Sequence, residues 1–341
     1  MRTPLALTVG EPAGIGPDIA LAAWVRRAEF DLPPFYLLAD PAFLTRRAHA
    51  LGLDVSIAVV APPQAGRAFS AAALPVVDLG LAITAQPGSP DASSAPAAIA
   101  AIDRAVEAVL AGDAAAVVTN PIAKSVLYQA GFDKPGHTEY LANLAARATG
   151  RTTMPVMMIW SPELAVVPVT IHVPLASVPK QISGDLIIAT GRIVARDLAR
   201  RFGIARPRLV VAGLNPHAGE HGAIGTEERD IIAPAVAALA AEGIAVRGPL
   251  PADTLFHAGI RATYDAALCM YHDQALIPAK TLAFDHAVNV TLGLPFVRTS
   301  PDHGTAFDLA GSGRADPSSL VAALKLATRL ADEQPAIAAA E

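Results

Sequence analysis

The chain alternates between short apolar runs and longer segments in which apolar residues recur at helical spacing. Leu5 to Val9 predicts a buried strand, and Asp18 to Trp24, which follows a glycine-rich break, predicts a helix. Phe35 to Asp40 and Pro41 to Gly52 repeat this order of strand and helix. The alternation predicts an α/β fold.

Later segments keep the pattern after a stretch rich in Ala, Pro, Gly and Ser at residues 61–95, which predicts loops with short strands. Three of the later strands end just before a histidine, and ligands bind at such carboxyl ends in open α/β sheets. The predicted elements are helices at Pro96 to Leu110, Tyr140 to Ala146, 181–202 and 227–242, and strands at Ala114 to Thr119, Ala165 to Ile171, Arg208 to Leu214 and Ala266 to Met270.

The composition limits the class of protein. A length of 341 residues predicts about two domains, and 52% apolar but only 5% aromatic residues suit helices packed on a sheet. The 26 Lys and Arg against 31 Asp and Glu give a formal charge of -5 without a basic run, so nucleic acid is not an expected partner. For an acidic protein to bind an anionic metabolite, its cations must be concentrated in a cleft.

The single cysteine, Cys269, excludes an intramolecular disulfide and a sulfur-rich zinc site, so any metal must bind to His and carboxylates. The apolar run of Leu5 to Val9 is too short for a signal sequence or a membrane span, because Gly10, Glu11 and Pro12 interrupt it. We therefore expect a cytoplasmic protein without a membrane partner.

Two glycine-containing motifs precede predicted helices. Gly10 to Pro17 lacks the spacing of a Rossmann dinucleotide fingerprint and the lysine of a P-loop, which leaves a tight turn and a cofactor contact equally open. Gly136-His137-Thr138-Glu139, taken alone, is a helix cap beside a surface histidine. Its hydroxyl, imidazole and helix N-terminus can also bind a phosphate or carboxylate together.

His172, His217 and His272 follow three of the predicted strands. Three imidazoles with an open position suit zinc or another divalent ion that also accepts substrate oxygens. One histidine at a strand end is more often structural, but three of the nine in equivalent places favour a metal site of the catalytic type.

Lys280 and Arg298 can hold a phosphate or carboxylate, although ion pairs within the protein are an alternative. Asn289 lies in an apolar strand, where an unpaired amide is costly, so its partner is expected to be important. The segment Asp302 to Gly311 is dense in small and hydrogen-bonding residues and by itself predicts a structured surface loop.

Taken together, these motifs resemble the 4-hydroxythreonine-4-phosphate dehydrogenase family over nearly the whole chain. Their order and spacing are much more specific than any one of them. The motifs that carry the resemblance are Gly10 to Pro17, Gly136 to Glu139, Ile171 to Leu175, Leu214 to Glu220, Gly248 to Thr254 and Tyr271 to Gln274.

The resemblance implies roles for particular residues. A divalent metal, zinc, magnesium or cobalt, is implied on His172, His217 and His272. Substrate contacts are implied from His137, Thr138, Lys280, Asn289 and Arg298. Asp253 and Asp273 are implied to be polar groups beside the metal.

The family is related to isocitrate and isopropylmalate dehydrogenases, which implies a non-Rossmann fold of two α/β domains with a cleft between them. The first domain is expected from residues 1–125 and 283–341, and the second, with the metal and the dimer interface, from residues 126–282. NAD or NADP is implied at Gly14, His303, Gly304, Thr305 and Asp308. A homodimer that shares its active site at the interface is also implied.

The implied reaction is oxidation of 4-phosphohydroxy-L-threonine to a β-keto acid that then loses CO2. Asp253, Asp273 and Lys280 are the candidates for the base, with a slight preference for Asp253. The alternatives are a family relative that oxidises a sugar-acid phosphate or a dihydrodiol dicarboxylate, a metal-dependent hydrolase or lyase without nucleotide, and a non-catalytic anion-binding protein.

Overall fold

The structure, a computed structural model, describes residues 2–70, 73–132 and 136–333. The chain divides into two compact units. The first takes the described residues up to Pro155 together with Leu294–Asp332, and the second takes Val156–Gly293 with Glu333. The first unit is thus built from two separate stretches of chain.

Short strands run through the core of both units. In the described part of the chain they are β1 (Leu5–Thr8), β2 (Phe35–Ala39), β3 (Ile57–Val59), β4 (Leu74–Asp78), β5 (Val117–Thr119), β6 (Val156–Trp160), β7 (Ala165–Pro168), β8 (Arg208–Ala212), β9 (Ala245–Leu250), β10 (Ala266–Cys269), β11 (Val288–Leu292) and β12 (Arg298–Pro301).

Helices connect these strands. They are α1 (Gly16–Val25), α2 (Pro41–Ala50), α3 (Ala65–Ser70), α4 (Ala95–Ala111), α5 (Lys124–Gln129), α6 (His137–Thr149), α7 (Val178–Gln181), α8 (Gly184–Arg201), α9 (Ala233–Ala241), α10 (Ala252–Leu255), α11 (Ala258–Arg261), α12 (His272–Ala283) and α13 (Ser318–Asp332). Single 3-10 turns occupy Pro62–Gln64, Ala92–Ser94 and Leu175–Ser177.

The first unit contains a parallel sheet in the order β3-β4-β2-β1-β5-β12. Strands β1 and β2 are buried along their whole length, because helices cover the sheet, whereas the edge strand β3 is partly exposed. An aromatic cluster of Trp24, Phe35 and Phe69 packs edge to face, with ring centroids 5.2 to 6.2 Å apart. This core holds the first strands and helices in place.

The second unit contains the strand order β11-β6-β7-β10-β8-β9. Strand β6 runs antiparallel to both β7 and β11, whereas β7, β10, β8 and β9 are parallel. The carboxyl ends of β7, β10 and β8 therefore meet at one edge of the sheet. The core beneath them includes Ile159, Val166, Leu255 and Cys269.

The predicted elements are found, with some different bounds. The helix predicted at Tyr140 begins three residues earlier, at His137. The helix predicted over 227–242 is divided, because Glu228–Ile232 has π-helical hydrogen bonds before α9 begins. Pro234 lacks the N–H that a regular helix needs for a bond to the preceding turn, which explains the wider turn. Strands β3, β6, β9 and β12 were not predicted, and neither were helices α12 and α13.

The contacts divide the chain at different residues from the expected boundaries. Residues 126–155 group with the first unit, since α6 packs on α4 and Tyr140 Oη donates a hydrogen bond of 2.6 Å to Asp103 Oδ1. Residues 283–293 group with the second unit, since Val288 to Leu292 pairs in register with β6. Among the described residues, no helix combines the length and the apolarity that crossing a bilayer requires.

Cys269, the single thiol, lies at the end of β10 and is 0% exposed. Burial raises the pKa of this thiol far above its ordinary value, so the reactive thiolate is scarce at neutral pH. We expect negligible alkylation of the folded protein by iodoacetamide at pH 8 and stoichiometric alkylation in urea, measured by mass spectrometry. Rapid labelling of the folded protein would contradict this burial.

Candidate active site

The three predicted metal ligands follow three adjacent parallel strands of the second unit. Strand β10 pairs with β7 on one side and β8 on the other, so the segments that carry His172, His217 and His272 leave the same edge, with His272 as the first residue of α12. The rings of His172 and His272 are 5.7 Å apart between centroids. The expectation that the strands carry histidines at equivalent ends agrees with this placement.

Two of these histidines are held by carboxylates. His217 Nδ1 lies 2.8 Å from Glu220 Oε2, and His272 Nδ1 lies 2.7 Å from Asp273 Oδ1. A carboxylate that accepts a hydrogen bond from Nδ1 orients the ring and leaves Nε2 for a metal ion. Over the ranges that the structure describes, no group of three or more His, Cys, Asp or Glu side chains in the single chain can hold a metal ion.

His217 to His221 forms a left-handed turn, with φ between 44° and 79° at all five residues. The left-handed conformation costs roughly 1–2 kcal/mol at each residue other than glycine. Position 219 also requires a glycine, because a Cβ there would lie 2.5 Å from Glu228 Oε2. The turn directs His217 outward, with its side chain 66% exposed.

A buried carboxylate supports this turn. Glu228 is 5% exposed and accepts hydrogen bonds from Asn215 N at 2.7 Å and Asn215 Nδ2 at 3.0 Å. Asn215 is the residue before Pro216, at the start of the strained segment. The π-helical turn that contains Glu228 thus anchors the backbone that carries His217.

The remaining residues predicted in the second unit lie on three different elements. Asp253 is exposed in α10, and Lys280 lies in α12 with its Nζ 5.7 Å from the centroid of the Phe284 ring. Asn289 lies in β11, and its Oδ1 is shielded from solvent without a hydrogen-bond partner in the described part of the chain. The expectation that Asn289 has an important partner therefore stays a prediction.

The other predicted substrate residues lie in the first unit. His137 and Thr138 begin α6, and Arg298 begins β12. Arg298 is 3% exposed, its Nη2 donates a hydrogen bond of 2.6 Å to Thr119 Oγ1, and burial lowers its pKa to about 10. These three residues thus belong to the first unit, whereas Lys280 and Asn289 belong to the second.

The surroundings of His137 favour its neutral form. Its pKa lies well below the ordinary value, first because of burial and then because of the positive charges of Arg298 and Lys124. Part of the residue remains exposed, but its Nε2 is shielded from water. It is therefore not the freely solvated surface histidine that the motif alone indicates.

Two loops predicted to bind the cofactor meet in the first unit. Ile15 N donates a hydrogen bond of 2.9 Å to Thr305 O, and a Cβ on Gly14 would lie 2.8 Å from the same oxygen. Gly14 is thus required because the backbone of Thr305 passes close to it. Gly10 instead adopts a left-handed backbone conformation, with φ 72°. Both interpretations of this loop are compatible with the structure.

Gly304 and Asp308 in the second loop are exposed to solvent. His303 Nδ1 lies 3.0 Å from Gly304 O, and a Cβ on Gly304 would have no atom within 4 Å. Asp308 is exposed. These residues leave polar groups and backbone accessible for a ligand.

A buried ion pair that was not predicted connects the two loops. Arg47 Nη1 donates a hydrogen bond of 2.8 Å to Asp18 Oδ1, and its Nη2 donates to Pro12 O. Asp18 Oδ2 accepts a hydrogen bond of 2.6 Å from Gly311 N. The side chains are only 2% and 3% exposed, and burial raises the pKa of Asp18 and lowers that of Arg47. Sequence reasoning missed the pair, because each residue alone looks like an ordinary helix position.

The chain matches the family model described as pyridoxal phosphate biosynthetic protein PdxA over residues 31–327. A relative from Bradyrhizobium diazoefficiens, named 4-hydroxythreonine-4-phosphate dehydrogenase, is 64% identical over 336 residues, which cover 96% of this chain and 97% of the relative.

Solved structures show the same relation. The crystal structure of 4-hydroxythreonine-4-phosphate dehydrogenase from Klebsiella pneumoniae has 36% identity and a TM-score of 0.85, covering 97% of this chain and 100% of that one. A terephthalate 1,2-cis-dihydrodiol dehydrogenase from Burkholderia xenovorans has 29% identity and a TM-score of 0.63, covering 96% and 98%.

Identity at this level along nearly the whole length establishes an α/β enzyme of the oxidoreductase class. The chain belongs to the PdxA family of pyridoxal phosphate biosynthetic proteins. The resemblance inferred from the motifs and the predicted α/β fold class are confirmed, and the hydrolase and non-catalytic alternatives are excluded.

Removing one partner of the buried ion pair should destabilise the protein. Asp18→Asn and Arg47→Met each leave a buried group without its partner, and we expect each to lower the free energy of unfolding by about 3–5 kcal/mol. The double variant should lose less than the sum. Urea unfolding measures these values, with Arg26→Met as a control, because its ion pair with Glu29 is exposed and should matter little. Single variants as stable as the wild type would refute the role of the pair.

Gly219→Ala should lower the free energy of unfolding by at least about 1–2 kcal/mol, because it places a Cβ in a left-handed conformation against Glu228. Ala218→Gly is the matched control in the same turn, where φ is 53°, and should leave stability unchanged or higher. Differential scanning calorimetry compares the two. An unchanged midpoint for Gly219→Ala would show that the turn is not constrained.

Proposed function

We propose that this chain catalyses the NAD- or NADP-dependent and divalent-metal-dependent oxidation of 4-phosphohydroxy-L-threonine. The product, 2-amino-3-oxo-4-phosphooxybutanoate, then decarboxylates to 3-amino-2-oxopropyl phosphate on the route to pyridoxal phosphate. The substrate is taken from the names of the relatives, which reach 64% identity. The observation that carries the metal-dependent chemistry is the set of three histidine-bearing loops at one sheet edge.

His172, His217 and His272 fit a divalent ion such as zinc, cobalt or magnesium by the chemistry of their donors. Glu220 and Asp273 already occupy the Nδ1 atoms of two rings, so Nε2 is the atom that would bind the ion. When bound, such an ion supplies Lewis acidity that lowers the pKa of a substrate hydroxyl. The protein's part is to orient the rings, as Glu220 and Asp273 do for His217 and His272.

The substrate's anionic groups require cations and hydrogen-bond donors, of which Arg298 is buried. Arg298 and the neutral His137 with Thr138 provide charge and hydrogen bonds in the first unit, and Lys280 and Asn289 provide them in the second. A buried charged contact of this kind is worth roughly 1.5–3 kcal/mol. These residues would bind and orient the substrate.

A base must remove the hydroxyl proton as the hydride leaves, which contributes about 10²–10⁴-fold to the rate. Asp273 is engaged with His272 Nδ1, so we assign it to orienting that ring. Asp253 and Lys280 are then the candidates for the base. Variants of each, compared by the pH dependence of kcat/KM, distinguish the two.

The nicotinamide cofactor, when bound, accepts the hydride. We assign its site to the loops that carry Gly14, His303, Gly304, Thr305 and Asp308. The close contact between Ile15 and Thr305 and the buried ion pair behind the loops support this assignment, because they fix the backbone where a nucleotide must bind. The site gives no preference between NAD and NADP.

We further propose a homodimer whose active site contains residues of both chains. The second unit exposes large apolar side chains, with Leu175 66%, Ile277 65% and Phe284 74% exposed. Leu175 is three residues from His172, and the other two lie on or next to α12, which begins at His272. Covering this surface with a second copy would bury apolar area beside the histidines and bring side chains of that copy to the site.

Oxidation of a dihydrodiol dicarboxylate is the second candidate. It is favoured by the structural likeness to the terephthalate dihydrodiol dehydrogenase, at 29% identity and a TM-score of 0.63. Arg298 and Lys280 suit a carboxylate as well as a phosphate. Comparing kcat/KM on both substrates separates the candidates, and we expect the phosphorylated hydroxy-amino acid to be preferred.

Metal-dependent formation of reduced nicotinamide from 4-phosphohydroxy-L-threonine is the direct test. We expect added zinc or cobalt to support activity, a chelator to abolish it, and His217→Ala to reduce kcat at least about 10³-fold, because the loss of a ligand removes the ion. His221→Ala is the matched control in the same turn, where the imidazole is exposed, and should retain most activity. Equal losses in both variants, or activity without metal, would refute the assignment.

A further inference from the structure

The loop Gly10 to Pro17 contains a buried carboxyl group that has no cation beside it. Glu11 is 0% exposed, and its Oε1 accepts a hydrogen bond of 3.0 Å from Ala13 N. Over the described ranges, no Lys, Arg or His side chain pairs with this group, and burial raises its pKa above the ordinary value. A buried carboxylate without a cation is costly, and such a group commonly binds a proton instead.

The other partner of this carboxyl group is the hydroxyl of Ser94. Ser94 is 2% exposed and ends the 3-10 turn that precedes α4. Its Oγ lies 2.9 Å from Glu11 Oε1 and 3.2 Å from Glu11 Oε2. The same Oγ lies 3.0 Å from the carbonyl oxygen of Asp91. Three acceptor oxygens thus surround a hydroxyl that carries a single hydrogen.

A proton on Glu11 satisfies all of these atoms. If Glu11 is ionised, the Ser94 hydrogen can serve either the carboxylate or Asp91 O, and the other acceptor lacks it. If Glu11 is protonated, its O–H donates to Ser94 Oγ, and the Ser94 O–H donates to Asp91 O. The other carboxyl oxygen still accepts from Ala13 N. Complete pairing of buried polar groups is the general rule, which favours the protonated form.

The charges around the loop do not favour an ionised Glu11. The negative charge of Asp91 raises the pKa of Glu11 further. Arg47 contacts the loop at Pro12 O, but its charge is paired with Asp18. The titratable residues on the segments that contact the loop through Pro121 and Thr305 are not among the groups that perturb the pKa of Glu11, and they are Lys124, Asp302, His303 and Asp308.

We propose that Glu11 is a neutral carboxylic acid at neutral pH, donates its proton to Ser94 Oγ, and thereby acts as a positioning residue for the backbone that binds the dinucleotide. This inference rests on the function proposed above. Glu11 connects Ala13, which precedes Gly14, to the residue at which α4 starts. A dinucleotide carries a negatively charged pyrophosphate, so a neutral acid can hold this backbone without repelling the ligand.

Infrared difference spectroscopy of the full-length protein tests the proton without nucleotide or metal. The wild-type spectrum minus that of Glu11→Gln at neutral pH should contain the C=O stretching band of a protonated carboxyl group. Ser94→Ala should keep this band and shift it to higher frequency, because the acid loses the acceptor of its hydrogen bond. Glu29→Gln is the matched control, since the Glu29 carboxylate is exposed and paired with Arg26, and it should give no such difference.

Titration of the metal-free protein with NADH and NADPH, measured by fluorescence, tests the positioning role. Glu11→Ala should weaken nucleotide binding about 2- to 10-fold, the change expected for the loss of one hydrogen bond. Glu11→Gln should restore the affinity, because an amide donates to Ser94 Oγ and accepts from Ala13 N as the acid does. As the pH rises through the pKa of Glu11, the wild type should lose affinity relative to Glu11→Gln, because only the wild type gains a negative charge.

The absence of a carboxylic-acid band from the difference spectrum, or a band that Ser94→Ala leaves unshifted, would overturn the proposal. Equal losses of nucleotide affinity in Glu11→Ala and Glu11→Gln, or no loss in either, would overturn the positioning role. The infrared result does not depend on nucleotide. A protein that shows the acid band but binds neither NADH nor NADPH would therefore refute the proposed cofactor site and leave the protonated Glu11 intact.

Discussion

The buried ion pair of Asp18 and Arg47 constrains the first unit more than any other interaction described. Two charges removed from water must satisfy each other and their remaining hydrogen-bonding capacity, or the fold loses several kcal/mol. Here that capacity is satisfied by Pro12 O and Gly311 N, which belong to the two glycine-rich loops. Neither loop can move away without leaving a buried charge unsatisfied. The proposed nucleotide site thus has a fixed backbone while its polar groups stay accessible.

In the second unit, a strained backbone segment holds a predicted metal ligand in place. Five consecutive left-handed residues are unfavourable, and they persist because Glu228 is buried against Asn215 and leaves space only for a glycine at position 219. Strain of this kind is commonly found where a side chain must be presented at a functional site. The turn presents His217 at the edge where His172 and His272 also lie. Position and orientation of the histidines are thus determined by separate features.

Much of this arrangement could be predicted from the sequence, because it depends on local patterns. Leu5 to Thr8 and Phe35 to Ala39 are apolar runs that only a buried strand explains, and the histidines after three strands belong on one edge once those strands are parallel. The ion pair was not predictable, since its partners are 29 residues apart and each fits a helix pattern on its own.

Anomalous X-ray scattering at the zinc absorption edge, from crystals grown with zinc, tests most directly the central claim that the strand-end histidines bind the catalytic metal. The account predicts one strong peak per chain within bonding distance, about 2.0–2.1 Å, of the Nε2 atoms of His172, His217 and His272, with a second copy of the chain completing the set. A zinc peak bound by other residues, or histidines that remain apart in a zinc-loaded dimer, would contradict it.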